Sequence, residues 1–371
     1  MSLLFYILFS FLLGYTAVLF WLAIGFLRTS FFVNTNNHVS TPLTIIICAR
    51  NEEQHIAACL NTIIKQDYDF SIVQLILIND ASSDHTVKIA ETILKKSDVA
   101  YQIISNKKQK GKKESISYAI TLARHELILM RDADTFTTSF QWLQTISDFY
   151  QNTRSDFIIA PIALADQNVL LWALQAIENN ILAVIACGSS HYKKAFLCSG
   201  ANLIFTKKIF NAAKGYTSNS QYASGDDVFL LEDVKKIANV NINYLKSNAA
   251  LVYTYPEYTF SALLKQKVRW ASKFKLNKNN LNFTVAILIF IVNAAWAFCF
   301  IESLFGTFYQ SLAFKFVILK VSVDILLLFL ALRFIKNKNL LWFSLPAACI
   351  YPLYSCIVGL ASLFVKPTWK K

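Results

Sequence analysis

The side chains able to do chemistry in this chain are mostly carboxylates, and their spacing is informative. In "ILMRDADTFT" (128–137) an apolar run stops at Asp132 and Asp134, followed by no obvious cationic partner. Two carboxylates at i and i+2 on a loop after a strand can share one hard cation. Mg2+ or Mn2+ takes one or two protein carboxylates and completes its shell with substrate phosphate oxygens. The competing structural role is a cap on a helix beginning near Ser139, or stabilisation of a turn. Further acids stand at Glu52, Asp80, Asp226–Asp227 after Gly225, and Glu232–Asp233.

These groups need elements to position them. "LTIIIC" (43–48) is a short β-branched run that reads as a strand, followed by a helical pattern through Ile56, Leu60, Ile63 and Ile64. "VQLILIN" (73–79) is a second strand, "DASSD" (80–84) a turn, and Val87 to Leu94 a helix. "AYQIIS" (100–105) is a third strand, 112–124 a helix, and "ELILM" (126–130) a fourth strand. Alternating strands and helices predict a parallel sheet with crossover helices, whose ligands sit at the carboxyl ends of the strands. Those ends carry Arg50, Asn51 and Glu52, then Asp80, then Asp132 and Asp134.

The rest of the chain has another texture. Of 371 residues 55% are hydrophobic and the mean hydropathy is +0.41, which is rich for a soluble protein and points to membrane segments. Residues 3–27 carry no charge and lack a basic start and an A-x-A exit, so they predict a membrane span rather than a cleaved leader. Residues 284–305 form a second candidate; 312–332 a third, interrupted by Lys315, Lys320 and Asp324; and 340–365 a fourth, containing Pro346 and Pro352. Loop charge predicts that 28–283 and the Arg333–Lys338 loop face the cytoplasm and that 306–311 faces away. The basic tail "KPTWKK" conflicts with a full crossing by the fourth segment. Either that segment is a re-entrant hairpin bent at its prolines, or one upstream segment only lies on the membrane. The formal net charge of +13 suits anionic lipid or an anionic substrate, and no nucleic-acid partner is expected. Seven cysteines without a C-x-x-C pair read as reduced thiols.

"TIIICARNEEQHIAACLNTIIKQD", "LILINDASSDHTVKIAE", "LMRDADT", "ASGDDVFLLEDV" and "QKVRW" occur in that order. Together they resemble the membrane-bound family 2 glycosyltransferases, the group that includes cellulose, hyaluronan and ceramide-glucose synthases. That family's pattern is an early Asp, a D-x-D, an E/D-D and Q-x-x-R-W, and all four are present over residues 42–272. The resemblance implies an α/β GT-A nucleotide-sugar-binding domain with a mixed, mainly parallel sheet, flanked by transmembrane helices. The implied division is an N-terminal transmembrane helix (1–33), a cytoplasmic GT-A domain (34–278) and about three C-terminal membrane segments with a basic tail (279–371).

Carried over by residue, the resemblance gives Asp80 to the nucleotide base, with Glu52 at the adjacent strand end. It gives Asp134 to the metal, Mg2+ or Mn2+, and places Asp132 near the ribose or diphosphate. Asp227 is the implied catalytic base. Gln266, Arg269 and Trp270 form Q-x-x-R-W, with Arg269 at the diphosphate and Trp270 near the acceptor. Lys112, in a Gly-Lys context within the basic loop 106–115, is the remaining candidate for the diphosphate. "FLCSGANLIF" (196–205) resembles the segment bordering the acceptor, with a turn at Ser199, Gly200 and Asn202. The usual Glu-Asp pair is Asp226-Asp227 here, and Asn79 stands where many relatives have Asp. Glu232 and Asp233 fit a solvated helix face better than the catalytic pair. The implied activity is inverting, metal-dependent transfer from a nucleotide sugar, a UDP-sugar, to a lipid-linked or glycan acceptor at the bilayer. The alternatives are a processive polysaccharide synthase, an inactive membrane scaffold and, from hydrophobicity alone, a transporter.

Overall fold

The computed structural model describes residues 2–34, 39–167, 169–217, 226–272, 280–306 and 309–364. The tail "KPTWKK" and Gly225 lie outside the described residues. The chain forms two compact units: Met1–Leu27, Asp166–Gly188 and Pro256–Lys371 in one, Arg28–Ala165 and Ser189–Tyr255 in the other.

The first unit is helical: α1 (Ser2–Arg28), α6 (Leu170–His191), α9 (Phe260–Ser272), α10 (Asn280–Phe305), α11 (Gln310–Ile335) and α12 (Ser344–Phe364). Ring contacts align α1 with α11: Phe5 with Tyr309, Phe9 with Phe316, and Phe26 with Phe334, at 5.4, 5.5 and 5.7 Å between centroids. Between them the Tyr15 hydroxyl donates to Asp324 at 2.7 Å. Residue numbers rise together along both helices, so α1 and α11 run parallel and end on Arg28 and on Arg333–Lys336. The buried Lys320 ammonium lies 2.6 Å from Asp324 one turn along α11, which neutralises both charges.

Among the described residues four helices are long and apolar enough to cross a membrane: Leu3–Arg28, Leu170–His191, Phe283–Phe305 and Asn339–Phe364. Two differ from the sequence expectation. Helix α11 is a full helix but is not among them, because Lys315, Lys320, Asp324 and Arg333 dilute its apolarity. Helix α6 joins them, although 61% of its most apolar window is buried within the protein, against 22–28% for the other three. Among the described residues, through Phe364, the fourth segment is not a re-entrant hairpin. Helix α12 runs through Pro352 without a break, and Pro346 lies in its first turn, where a missing N–H leaves no hydrogen bond unmade.

The second unit carries a seven-stranded sheet in the order β3-β2-β1-β4-β8-β6-β9. Strands β1 (Leu43–Ala49), β2 (Val73–Asn79), β3 (Ala100–Ser105) and β4 (Leu127–Asp132) are parallel. They are linked by α2 (Ile56–Ile64), α3 (Thr86–Leu94) and α4 (Lys112–Leu122). Strand β8 (Leu203–Thr206) is antiparallel to β4 and to β6 (Phe157–Ile159), and β9 (Ile242–Tyr244) is parallel to β6. The sheet is therefore mixed and mainly parallel. β1 and β2 are buried almost throughout, so they read as unbroken apolar runs, whereas the edge strand β3 alternates. A smaller sheet, β5 (Thr135–Phe136), β10 (Val252–Thr254) and β7 (Ile162–Leu164), begins one residue after Asp134. Phe136 stacks on its cross-strand partner Tyr253 and anchors that turn. The remaining helices are α5 (Trp142–Thr153), α7 (Lys207–Ala212) and α8 (Asp226–Val234).

The core under the site comes from β1, β2, β4 and α2. Leu129, fully buried in β4, packs there. Leu129→Ala should cost about 3 kcal/mol through lost transfer energy and a cavity, read as a lower denaturant midpoint with an unchanged m-value.

Candidate functional site

The site grows from the carboxyl ends of β1, β2 and β4. Beyond β1 and β2 the chain turns through Asn51 and Ala81, both left-handed at φ 53° and 58°. The turns are cross-bonded: Asn51 N–H donates to Ser82 Oγ at 3.0 Å, and Ser83 N–H to Asn51 Oδ1 at 2.9 Å. Asn tolerates this conformation, but Ala does not favour it, so Ala81 stores strain where a binding loop must hold shape. Glu52 is half-buried behind Asn51, and its N–H donates to Thr86 Oγ1 at 2.8 Å.

Asp80 is 2% exposed, and its carboxylate organises the basic loop. Oδ1 accepts from Asn106 Nδ2 and Lys110 N–H at 2.9 and 2.8 Å, and Oδ2 from Gly111 N–H at 2.9 Å. Gly111 has φ 91°, a left-handed conformation that favours glycine. It starts α4, whose first residue is Lys112. Asp80 thus aims Lys112.

The Lys112 ammonium sits between Asp132 Oδ1 at 2.6 Å and Asp226 Oδ2 at 3.0 Å. The cation that sequence did not show beside the D-x-D comes from twenty residues upstream. Burial opposes the charge of Lys112, but Asp132 and Asp226 outweigh it and hold its pKa well above that of an ordinary lysine. Burial pushes the Asp132 carboxyl up, Lys112 pulls against it, and Asp134 and Asp226 add to the rise. From behind, buried Arg131 donates to Thr135 Oγ1 at 3.0 Å and stacks on Trp142, and Thr135 Oγ1 in turn donates to Asp132 O at 2.7 Å. Sequence reasoning passed over Arg131 and the role of Asn106; the glycine before the helix was the readable signal, in the Gly-Lys context of Lys112.

Asp134 is half-buried, and its carboxylate has no ion pair among the described residues. Neither Asp132 nor Asp134 caps a helix: α5 begins at Trp142 behind Gln141. The proposed capping role is therefore corrected. No group of three or more His, Cys, Asp or Glu suited to a metal occurs among the described residues. The donor set still fits Mg2+ or Mn2+, because Asp134 is free of a competing cation and the nearby carboxylates outnumber Lys112. A cation held this way relies on phosphate oxygens for the rest of its shell.

Asp226 and Asp227 open α8, where the helix dipole favours negative charge. Asp227 Oδ2 accepts from Gly200 N–H at 3.2 Å. The Ser199–Asn202 turn therefore meets the carboxylate pair. A methyl on Gly200 would stand 3.2 Å from Lys112 Nζ and 3.3 Å from Asp226 Oδ2. Asn202 is fully buried, with its amide donating to Pro161 O and Ala250 O, so it holds the turn rather than facing a ligand. Glu232 and Asp233 pair with Lys235 and Lys236 at 2.9 and 2.6 Å, one turn along.

The structure thus gathers Asp80, Lys112, Asp132, Asp226 and Asp227 in one unit, with Glu52 and Asp134 at strand ends of the same sheet. Gln266, Arg269 and Trp270 lie on α9 of the other unit. Replacing Lys112 with Met should destabilise the protein by roughly 3 kcal/mol, because it strands buried carboxylates. Thermal unfolding checks this: the midpoint should fall, and added Mn2+ should recover part of the loss.

Residues 44–213 match the family model described as Glycosyl transferase family 2. Over 247 residues the chain is 23% identical to the poly-beta-1,6-N-acetyl-D-glucosamine synthase of Staphylococcus epidermidis, covering 65% of this chain and 57% of that protein. The synthase of the same name from Staphylococcus aureus is 22% identical over 234 residues, 62% of this chain and 53% of that protein. The chain thus aligns with little more than half the length of these relatives. Among solved structures, the mannosyltransferase PcManGT from Pyrobaculum calidifontis, in complex with GDP-Man and Mn2+, matches with a TM-score of 0.59. Identity there is 15%, over 96% of this chain and 99% of that one, so the likeness bears on the fold.

Proposed function

From the premise that this chain carries a family 2 glycosyltransferase domain of the GT-A type, we propose that it transfers a sugar with inversion from a nucleoside diphosphate donor, a UDP-sugar, to a lipid-linked or glycan acceptor at a membrane. The observation that carries this reading is the Lys112 ammonium set between Asp132 and Asp226, beside Asp227 and the Gly200 turn.

The leaving diphosphate gains negative charge as the glycosidic bond breaks. Lys112 would meet that charge, and Arg269 enters the proposal through its motif. Asp134 would hold a divalent cation, which would supply Lewis-acid neutralisation of the same diphosphate. Asp227 accepts the proton of the acceptor hydroxyl as its oxygen attacks the anomeric carbon, which passes through an oxocarbenium-like state. One base and direct attack give inversion. Glu52 and Asp80 serve the nucleoside end, Asp80 through the loop it orders. Gln266 and Trp270 serve the acceptor end by their motif.

The parallel course of α1 and α11 supports a cytoplasmic catalytic domain. It brings Arg28, Arg333 and Lys336 to like ends of the two helices, the pattern of a positive inner face. A processive synthase is the second reading, favoured by the polymer-synthase names of the curated relatives.

The test uses the full chain in nanodiscs with Mn2+ and a panel of nucleotide sugars, UDP-N-acetylglucosamine among them. Nucleoside diphosphate release with one donor, lost with chelator, is the expected result. Neither release nor metal-dependent binding of any donor would overturn the proposal and leave the scaffold reading.

A further inference from the structure

We propose that Glu178 on α6 is a positioning residue for the Q-x-x-R-W helix, fixing the Trp270 indole through the ammonium of Lys267. The inference rests on the transferase reading for its functional meaning.

Lys267 occupies a position that the motif leaves unspecified. Its ammonium lies 2.6 Å from Glu178 Oε2, and the two side chains are only 7% and 16% exposed. The same ammonium stands 4.3 Å from the centroid of the Trp270 ring. One carboxylate on a neighbouring helix therefore holds a cation, and that cation holds the face of an indole that is itself 37% exposed.

A second clamp sits one turn earlier on the same face of α6. Buried Gln175 accepts from Glu257 N–H at 2.9 Å and donates to Glu257 O at 3.0 Å. Glu257 Oε1 in turn accepts from Gln266 Nε2 at 2.9 Å. Two polar side chains at i and i+3 on α6 thus reach Gln266 and Trp270, the first and last residues of the motif. Glu178 is also the sole Asp, Glu, Lys or Arg in Leu170–His191, a helix otherwise apolar enough to span a bilayer. A lone acid in such a helix is costly unless it is paired and used.

Three variants separate positioning from simple stabilisation. Glu178→Gln removes the anion. The exchange Glu178→Lys with Lys267→Glu restores an ion pair but takes the cation away from the indole. Lys267→Arg keeps both. Full-length protein in detergent, labelled with 5-fluorotryptophan, reports the Trp270 resonance, assigned by its loss in Trp270→Phe. Nucleoside diphosphate release is followed with the donor found in the panel.

In Glu178→Gln the Trp270 signal should move and release should fall about tenfold or more. The exchange should recover the unfolding midpoint without recovering signal or rate, and Lys267→Arg should resemble wild type. An unmoved Trp270 signal in Glu178→Gln overturns the inference, as does an exchange variant that recovers signal and rate. If wild type neither releases from nor shows metal-dependent binding of any donor, the transferase reading fails, while the fluorine signal still decides whether Glu178 holds the indole.

Discussion

Asp227→Asn is expected to slow nucleoside diphosphate release by about a thousandfold, within the range for loss of a general base, while donor binding stays near wild type. Asn keeps the shape of the side chain, and its carbonyl can still accept from Gly200 N–H, so the Ser199–Asn202 turn survives. What disappears is a group that takes a proton from the acceptor hydroxyl. Asp226→Asn is the informative companion. That side chain is buried against Lys112, so its loss should appear first as lower stability. Calorimetric donor binding beside initial rates tells the two apart. If Asp227→Asn turns over at the wild-type rate, the base lies elsewhere and the assignment to α8 is wrong.

Asp134→Ala should weaken metal-dependent donor binding by about a hundredfold, a large effect for one ligand in a site with few. The reason lies in how the two aspartates differ. Asp132 already holds the Lys112 ammonium at 2.6 Å, whereas Asp134 has no competing cation among the described residues. A divalent ion therefore finds Asp134 ready and Asp132 engaged. Titrating Mn2+ against a fixed donor concentration measures the difference. Equal losses from Asp132→Ala and Asp134→Ala would contradict this asymmetry.

The parallel half of the sheet was legible because its physics is local. Strands buried on both faces must be apolar throughout, and β2 and β3 have the bounds that sequence predicted. β4 runs on through Asp132, two residues past the expected end, because the carboxylate sits on the last rung of the ladder. The partners were not legible. Lys112 reaches Asp132 across twenty residues and Asp226 across more than a hundred, and no spacing rule announces either pair. Helix α6 also escaped notice: Gln175, Glu178, Asn179 and Asn180 interrupt its apolar run, and their reason lies in segments distant in sequence. Conversely, Pro346 and Pro352 suggested a hairpin that α12 does not form, since a proline costs little in a first turn and neighbouring helices accommodate one further in.

The pairing of Tyr15, Lys320 and Asp324 bears on how the chain is assembled. In a membrane, residues 310–335 with their four charges would leave the insertion machinery reluctantly if they emerged alone. Two circumstances ease their entry. They follow α10 after only a short connection, so the two helices can enter as a hairpin. Helix α1, made first, is already in place with a hydroxyl ready for Asp324. The N-terminal helix would thus serve as a docking template for a helix synthesised some three hundred residues later. A chain lacking Tyr15 would leave Asp324 to Lys320 alone, and the yield of inserted protein should fall before any change in rate per molecule could be measured.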